Sequence, residues 1–200
     1  MSDVIVPASH TLWFQEPPAI DRPLYRMPPI AMFVTFISAV SLGIARHAIE
    51  EFVKLADAKT LMLSTDALAD KSTVQDRLGR AHALVNAGRR YLTGTLTDLW
   101  MEVQAGHAPT MGDRGALWLA ATHAAHGALE AVELLYTAAG ASSVYSTCPL
   151  DRCMRDARTA VQHIGTRRST SSSPDVTCSD VTSCPARGSS TTAARVEVSR

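Results

Sequence analysis

The sequence has few aromatic residues and no excess of charge of either sign. Aromatic side chains make up 6% of the 200 residues, whereas β-sheets favour aromatic and β-branched residues. Nineteen basic and nineteen acidic residues cancel, so no net field draws the chain towards nucleic acid or an anionic membrane surface. We therefore expect neither a sheet-based core nor nucleic acid as a partner.

Signals for export and for zinc binding are also missing. The first 12 residues lack a basic stretch followed by an apolar one, which a secretory signal peptide would need. The pairs Cys148–Cys153 and Cys178–Cys184 are spaced by five and six positions, unlike the C-x2-C pairs of a zinc ribbon. We predict free thiols in a cytoplasmic protein.

The longest apolar run is too short to span a membrane. Ile30–Ala45 has sixteen residues and includes the polar Thr35, Ser38 and Ser41, whereas a span requires about 20 predominantly apolar residues. The run therefore predicts a buried helix and no membrane association.

Motifs of several common enzyme classes are absent as well. The sequence contains no glycine-rich phosphate loop and no G-x-S-x-G nucleophile elbow. Di-metal helical bundles use paired Glu-x-x-His motifs, but the order here is reversed in His47-x-x-Glu50, and His123-x-x-His126 lacks the glutamate. These patterns predict no metal site.

What the sequence does contain is four long amphipathic segments. Apolar residues recur at steps of three and four, which predicts helices near 29–59, 72–105, 110–139 and 149–164. Four such helices predict an all-α four-helix bundle. The predicted buried positions are Ile37, Val40, Ile44, Ala48, Phe52 and Leu55 in the first helix; Val74, Leu78, Ala81, Val85, Gly88, Leu92, Leu96, Leu99 and Val103 in the second; Leu117, Ala120, Ala124, Ala128, Val132, Leu135 and Ala139 in the third; and Leu150, Met154, Ala157, Val161 and Ile164 in the fourth.

Residues that start and stop helices support these boundaries. Ser72-Thr73-Val74-Gln75 has the form of a capping box. Gly106 and Gly140 follow the second and third helices, where glycine commonly ends a helix. Pro149 suits the first turn of the fourth helix, and Thr110 precedes the third.

The two ends of the sequence differ from the bundle region. Residues 2–7 predict a lone β-strand, and residues 16–29 contain five prolines and predict an extended linker. Residues 166–200 contain nine serines and six threonines without an apolar period, which predicts a disordered tail. The predicted organisation is a β/extended segment at 1–28, the bundle at 29–165 and the tail at 166–200.

One dense cluster of candidate functional residues lies between the third and fourth helices. Small residues at 139–143 would let a ligand approach the backbone closely. Arg152, Arg155 and Arg158 follow near one helix face, where they can bind phosphate or carboxylate. The plain alternative is an ordinary loop followed by arginines that form salt bridges.

The pattern A-G-x-S-x-x-Y…P-L-x-R-x-x-R-D-x-x-x-x-x-Q-H, within Ala139–His163, resembles the last block of class D flavin-dependent monooxygenases, which share the acyl-CoA dehydrogenase fold. Leu42–Ala48 looks like the opening helix of that family's C-terminal bundle. Asp3–Ala8 looks like the end of its middle β-domain. The similarity covers roughly residues 2–165.

The resemblance implies a flavin, FAD or FMN, bound between this bundle and an N-terminal helical domain and middle β-domain. It also implies tetramers formed through the bundle and a flavin reductase as a partner of the intact enzyme. The cofactor-binding residues implied are Ser142, Ser143, Tyr145, Arg152 and Arg155.

His163 is the catalytic residue that the resemblance implies, acting on the substrate or on peroxyflavin. From its position alone, His163 has a second interpretation as a cap of the helix C-terminus, where a cation is stabilised by the helix dipole.

Two features favour the monooxygenase branch of the resemblance. Acyl-CoA dehydrogenases commonly have a catalytic glutamate at the position that aligns with Ile164, and isoleucine cannot act as a base. Arg89-Arg90-Tyr91 also replaces their arginine-phenylalanine-glycine pattern. The alternatives are a dehydrogenase-type fragment and a helical oligomerisation module without catalysis.

The sequence resembles only the last part of the family, so we expect a fragment that is inactive alone. The family continues after the glutamine-histidine pair with another amphipathic helix, whereas this sequence continues with the serine-rich tail. If GC-rich codons are assumed from Thr166 onward and are read two nucleotides later, one permitted choice of codons encodes an amphipathic helix. We hypothesise a frameshift near codon 166.

Overall fold

The computed structural model describes residues 5–11, 18–59 and 67–167. Its α-helices are α1 (Pro23–Arg26), α2 (Pro29–Ala58), α3 (Ser72–Gln104), α4 (Met111–Ala139) and α5 (Pro149–Gln162). Short 3-10 helices cover Ala8–His10, Leu68–Asp70 and Gly140–Val144. The described residues contain no strand. The all-α bundle is confirmed, and α2 to α5 end within two residues of the predicted boundaries.

Helix α4 is the centre of the bundle and contacts α2, α3 and α5. Thirteen of its residues are buried, and seven of these are alanine, so the neighbouring helices approach its backbone closely. All predicted stripe residues of α4, from Leu117 to Ala139, are fully buried. The stripe of α3 is also confirmed, since none of its nine positions is exposed.

The N-terminal half of α2 buries a different face from the one predicted. Thr35, Ser38 and Ser41 are buried, whereas Val40 is 62% exposed. The Ser38 hydroxyl lies 2.9 Å from the Val34 carbonyl oxygen and 2.8 Å from that of Ala121 on α4. Small side chains whose hydroxyls are satisfied by carbonyls allow α2 to approach α4 closely. The prediction of Val40 as a core residue is therefore wrong.

Large apolar side chains occupy the outer face of the same half-helix. Ile30, Phe33 and Phe36 are exposed, and the two phenylalanine rings meet edge to face at a centroid distance of 6.5 Å. In the part of the chain that the structure describes, α2 is the one helix long and apolar enough to cross a membrane. Its inner face is nevertheless packed against α4 and α5.

The capping box lies at a different helix from the one predicted. Ser72 is already the first residue of α3, Lys71 precedes it without a side-chain cap, and Gln75 Nε2 donates to the Ala69 carbonyl oxygen at 2.8 Å. A capping box forms instead at α4, where the Thr110 Oγ1 accepts from the Asp113 amide at 3.1 Å. The prediction of a capping box at Ser72 rests on the spacing of a serine and a glutamine alone. That spacing does not determine whether the serine precedes the helix or is already part of it.

The predicted helix ends after α3 and α4 are confirmed. Gly106 and Gly140 both have positive φ, at 90° and 63°. This conformation favours glycine because a side chain would be strained there. Pro149 is the first residue of α5.

The proline-rich segment before α2 is not entirely extended. Helix α1 makes a single turn with Pro23 in its first position. Proline is tolerated there because the first backbone amides of a helix have no partner within the helix, so the missing N–H costs no hydrogen bond. The predicted strand at 2–7 lies partly outside the described residues. Residues 5–7 have no regular structure and are exposed.

The contact between α3 and α4 gives a test of the packing. A Cβ atom at Gly88 would lie 3.1 Å from the Cα atom of Ala124, whereas one at Gly94 would have no atom within 4 Å. We expect Gly88→Ala to lower the free energy of unfolding by about 1–3 kcal/mol through overpacking. Gly94→Ala is the matched control and should raise it by up to about 1 kcal/mol, because alanine favours the helix. Urea denaturation measures both, and equal effects would contradict the close approach.

Candidate functional site

The loop after α4 is held by a buried serine. Ser143 is 1% exposed, and its hydroxyl lies 2.7 Å from the Gly140 carbonyl oxygen and 3.0 Å from that of Tyr136. Carbonyl groups at a helix C-terminus lack partners within the helix. Ser143 therefore closes the end of α4 and fixes the course of the loop.

The next residues of the loop face outward. Val144 and Tyr145 are each 67% exposed, while Ser142 is half-buried. The Tyr145 carbonyl oxygen accepts from the Cys148 amide at 2.8 Å, which turns the chain into α5. The loop thus presents an apolar and an aromatic side chain on a fixed backbone.

A cleft of ≈ 470 Å³ lies beside this loop, where the end of α2 meets the start of α5. Its wall includes Ser142, Leu150, Lys54 of α2 and Lys59, which directly follows α2. Lys59 Nζ donates to the Ala139 carbonyl oxygen at 2.8 Å, and Lys54 Nζ lies 2.7 Å from Glu51 Oε1. The hydrogen bond from Lys54 lowers the pKa of the Glu51 carboxyl.

The cysteines near the cleft are free but buried. Cys148 lines the cleft and Cys153 lies one turn further along α5. Burial raises the pKa of the Cys153 thiol. A thiol that stays protonated is a poor nucleophile, so Cys153 acts as a packing residue.

The three arginines of α5 are paired with carboxylates. Arg152 lies 3.4 Å from Asp156, Arg155 lies 2.9 Å from Asp151, and Arg158 lies 3.3 Å from Glu133 of α4. These pairs are the arrangement of the plain alternative, an ordinary loop followed by salt-bridged arginines. Exposed pairs contribute little to stability, so an incoming phosphate can compete for Arg152 and Arg155.

His163 lies at the opposite end of α5 from the loop. The helix has 14 residues, which places its ends about 20 Å apart at 1.5 Å per residue. Within one chain, the length of α5 therefore separates His163 from the loop residues Ser142 to Tyr145. Arg152 and Arg155 lie in the first two turns of α5, at the end nearer the loop.

His163 directly follows Gln162, the last residue of α5. It is exposed, and its Nδ1 accepts a hydrogen bond from the Gly165 amide at 3.1 Å. Ile164 is 72% exposed, so its prediction as part of the apolar stripe is wrong. The stripe ends at Val161 because the helix ends before residue 164.

Thr166 belongs to the packed part of the chain and not to a disordered tail. It is fully buried, and its hydroxyl donates to the Ala160 carbonyl oxygen at 2.7 Å. Its own carbonyl oxygen accepts from His126 Nε2 at 3.0 Å. The predicted boundary between the bundle and the tail, at residue 166, is therefore too early. The Thr166 side chain bonds to the last turn of α5 and so belongs to the bundle. The rest of the predicted tail, 168–200, lies outside the described residues.

The sequence does not indicate several polar contacts at this end of the bundle. His126 and Thr166 are 40 positions apart, so no spacing rule connects them. On α4, Trp118 Nε1 and Thr122 Oγ1 are buried without a hydrogen-bond partner among the described residues, one helical turn apart. Within the same residues, no three His, Cys, Asp or Glu side chains are grouped to hold a metal ion.

The loop offers groups that can contact a planar ligand. Tyr145 and Val144 offer exposed surface to a planar ring, Ser142 offers a hydroxyl beside the cleft, and Gly140 lets the backbone turn sharply. A complete cofactor site encloses most of its ligand, and the described residues around this loop leave the aromatic side chain open.

Comparison with known proteins identifies relatives of this arrangement. The family described as acyl-CoA dehydrogenase, C-terminal domain, matches residues 35–168. Indole-3-acetate monooxygenase of Pseudomonas putida is 30% identical over 163 residues, which are 82% of this chain and 42% of that protein. The oxygenase subunit HsaA, a flavin-dependent monooxygenase of Rhodococcus jostii, is 25% identical over 172 residues, 82% of this chain and 45% of that subunit.

Solved structures share the fold. The 3-HSA hydroxylase of Rhodococcus sp. RHA1 superposes with a TM-score of 0.68 at 24% identity, covering 75% of this chain and 39% of that one. XiaF of Streptomyces sp., solved with FADH2 and glycerol, has a TM-score of 0.70 at 24% identity and covers 76% and 38%. The chain spans less than half the length of these relatives. It belongs to the acyl-CoA dehydrogenase C-terminal domain family, and the two sequence relatives described above are monooxygenases.

Proposed function

We propose that this chain is the C-terminal bundle of the oxygenase component of a flavin-dependent monooxygenase that acts on an aromatic substrate. The observation that carries the proposal is the 30% identity to indole-3-acetate monooxygenase over 163 residues. A bound reduced flavin would supply the electrons that activate O2 in such an enzyme. The residues of this chain would hold and orient that flavin and keep water from it.

Ser142, Ser143 and Tyr145 are the loop residues that we assign to the flavin. Ser142 Oγ and Tyr145 would contact it directly, whereas Ser143 would act by holding the loop backbone through its two carbonyl contacts. Arg152 and Arg155 would bind a phosphate group of FAD or FMN by exchanging it for their carboxylate partners.

The loop and His163 are separated by about 20 Å within one chain, and this distance supports an assembly of several copies of the chain. If the loop and His163 serve one site, they come from different chains, so we propose a homo-oligomer. We also propose a flavin reductase as partner and the cytoplasm as location.

The exposed position of Ile164 supports a monooxygenase over a dehydrogenase-type activity. A dehydrogenase of this superfamily needs a base to remove a substrate proton, and the aligned position here carries an aliphatic side chain. His163, beside it, is the residue that we assign to the substrate.

A chimera tests the proposed function. The matching C-terminal part of the Pseudomonas putida enzyme is replaced by this chain, and hydroxylation of indole-3-acetate and of other aromatics is measured with reduced flavin and O2. We expect flavin binding and O2-dependent hydroxylation. A folded chimera that does not bind flavin would favour the alternative of a helical oligomerisation module. Reduction of flavin by acyl-CoA substrates would favour the dehydrogenase.

The chain by itself is expected to hold little flavin. The loop supplies one wall, and ligand affinity requires most of the ligand surface to be enclosed. We expect the purified chain to carry far less than one flavin per chain, measured by its visible absorbance after gel filtration. A yellow protein with one flavin per chain would contradict this expectation.

A further inference from the structure

The turn that follows α5 imposes one tautomer on His163. The backbone amide of Gly165 can only donate, and it points at Nδ1 of the His163 ring at 3.1 Å. Nδ1 must therefore accept, and a neutral imidazole then carries its single proton on Nε2. We propose that His163 is a fixed hydrogen-bond donor, with Nε2–H directed to a ligand oxygen and Gly165 as its positioning residue. The assignment to a ligand rests on the proposed function.

The turn that holds this geometry is itself packed. The carbonyl oxygen of His163 accepts from the Thr166 amide at 2.9 Å and from the Arg167 amide at 3.1 Å. Thr166 is fully buried and is bonded to His126 of α4. The ring is thus fixed by a closed turn anchored on α4, while Nε2 has no partner among the residues that the structure describes.

Gly165 is required because the chain passes tightly over α2. A Cβ atom at this position would lie 2.7 Å from Val34 Cγ2 and 3.3 Å from His163 Nδ1. The first distance is shorter than real Cβ contacts, so an added methyl group must displace the turn or Val34. Displacing the turn would move the amide that holds Nδ1.

The fixed tautomer selects the kind of ligand atom that His163 can bind. An Nε2–H group bonds an acceptor, such as a phenolate, carboxylate or carbonyl oxygen. Removing a proton from a phenol would need an unprotonated nitrogen, and the only one is Nδ1, which the Gly165 amide occupies. His163 therefore fits a ligand that arrives as an acceptor and does not serve as its base.

Nitrogen-15 NMR of the full chain tests the tautomer directly. The His163 signals are identified by their absence in His163→Gln. We expect the neutral ring to have an unprotonated Nδ1 and a protonated Nε2. His126 is an internal reference for a protonated Nε2, because its Nε2 must donate to the Thr166 carbonyl oxygen. A His163 ring protonated on Nδ1, or averaging between both tautomers, would overturn the proposal.

Three variants test the role of Gly165. Gly165→Ala should cause loss of the fixed tautomer pattern, whereas Gly94→Ala, with no atom near the added methyl group, should retain it. The double variant Gly165→Ala with Val34→Ala removes the atom at 2.7 Å and should restore the pattern. An unchanged pattern in Gly165→Ala would overturn the positioning role.

A second measurement remains informative if Gly165→Ala does not fold. In His163→Phe the Gly165 amide loses its acceptor, and its hydrogen exchange should become about two- to tenfold faster. An unchanged exchange rate would contradict the hydrogen bond. None of these measurements uses flavin, so an inactive chimera would refute the proposed function and leave the tautomer result standing.

Discussion

Replacing His163 with alanine is expected to lower hydroxylation by the active chimera by about 10²- to 10³-fold, the usual loss when a hydrogen-bond donor that stabilises developing charge is removed. His163 is exposed at the end of α5, and Nε2 is directed away from the turn that binds Nδ1. Its removal takes away the group that would orient the substrate. Steady-state rates with reduced flavin measure the effect.

His163→Gln separates a donor from a base. Glutamine can donate a hydrogen bond but cannot accept a proton at neutral pH. If His163 is a donor, His163→Gln should retain more activity than His163→Ala. Equal losses would indicate a base. His82→Ala, an exposed histidine of α3, is the control and should leave the rate unchanged. A loss of less than about tenfold in His163→Ala, with lower thermal stability, would mean that the residue only caps α5.

Phe52→Ala is expected to cause the largest loss of stability, about 3–5 kcal/mol. Phe52 is a fully buried side chain of α2 in the cluster that joins α2, α4 and α5, with Leu135 and Leu150 among its members. Removing the ring leaves a cavity that helices packed through alanines cannot close. Small proteins are stable by about 5–15 kcal/mol, so this is a large share of the total.

Val53→Ala is the matched control for Phe52→Ala. Val53 is the next residue of α2 and is 37% exposed, so its truncation removes little buried surface. Urea denaturation followed by far-ultraviolet circular dichroism measures both variants. A loss below about 1 kcal/mol in Phe52→Ala would mean that the core around this ring can collapse to fill the space.

The sequence predicts the helices of this bundle well because their apolar periods are long. The stripe of α3 extends over about eight turns and that of α4 over about six. Each predicted position in them is buried or half-buried. In α2 the period is ambiguous, since apolar residues occur on both faces. Serines 38 and 41 take the inner face because their hydroxyls bond to carbonyl groups, and hydrophobicity alone cannot reveal this.

The candidate site could be predicted only as a set of residues, not as an arrangement. The small-residue loop and the arginines are visible in the sequence, but the carboxylates that pair with Arg158 and the carbonyl groups that hold Ser143 depend on the packing of α4. The tautomer of His163 depends on the turn of three residues that follows it. A turn of this kind has no repeating pattern that could be read in advance.

The inner face of α2 has a consequence for the synthesis of this protein. The Ser38 hydroxyl donates to a carbonyl oxygen of α4, and Lys59 donates to the carbonyl oxygen of Ala139, the last residue of α4. The packing of α2 against α4 is therefore incomplete until Ala139 has left the ribosome. Eighty-one residues separate the end of α2 at Ala58 from Ala139, which takes about 4–16 s at ordinary rates of translation. During that interval α2, the most apolar of the described helices, lacks the helix that covers most of its inner face. We therefore expect nascent-chain chaperones to bind α2 during that interval and to release it when α4 packs against it.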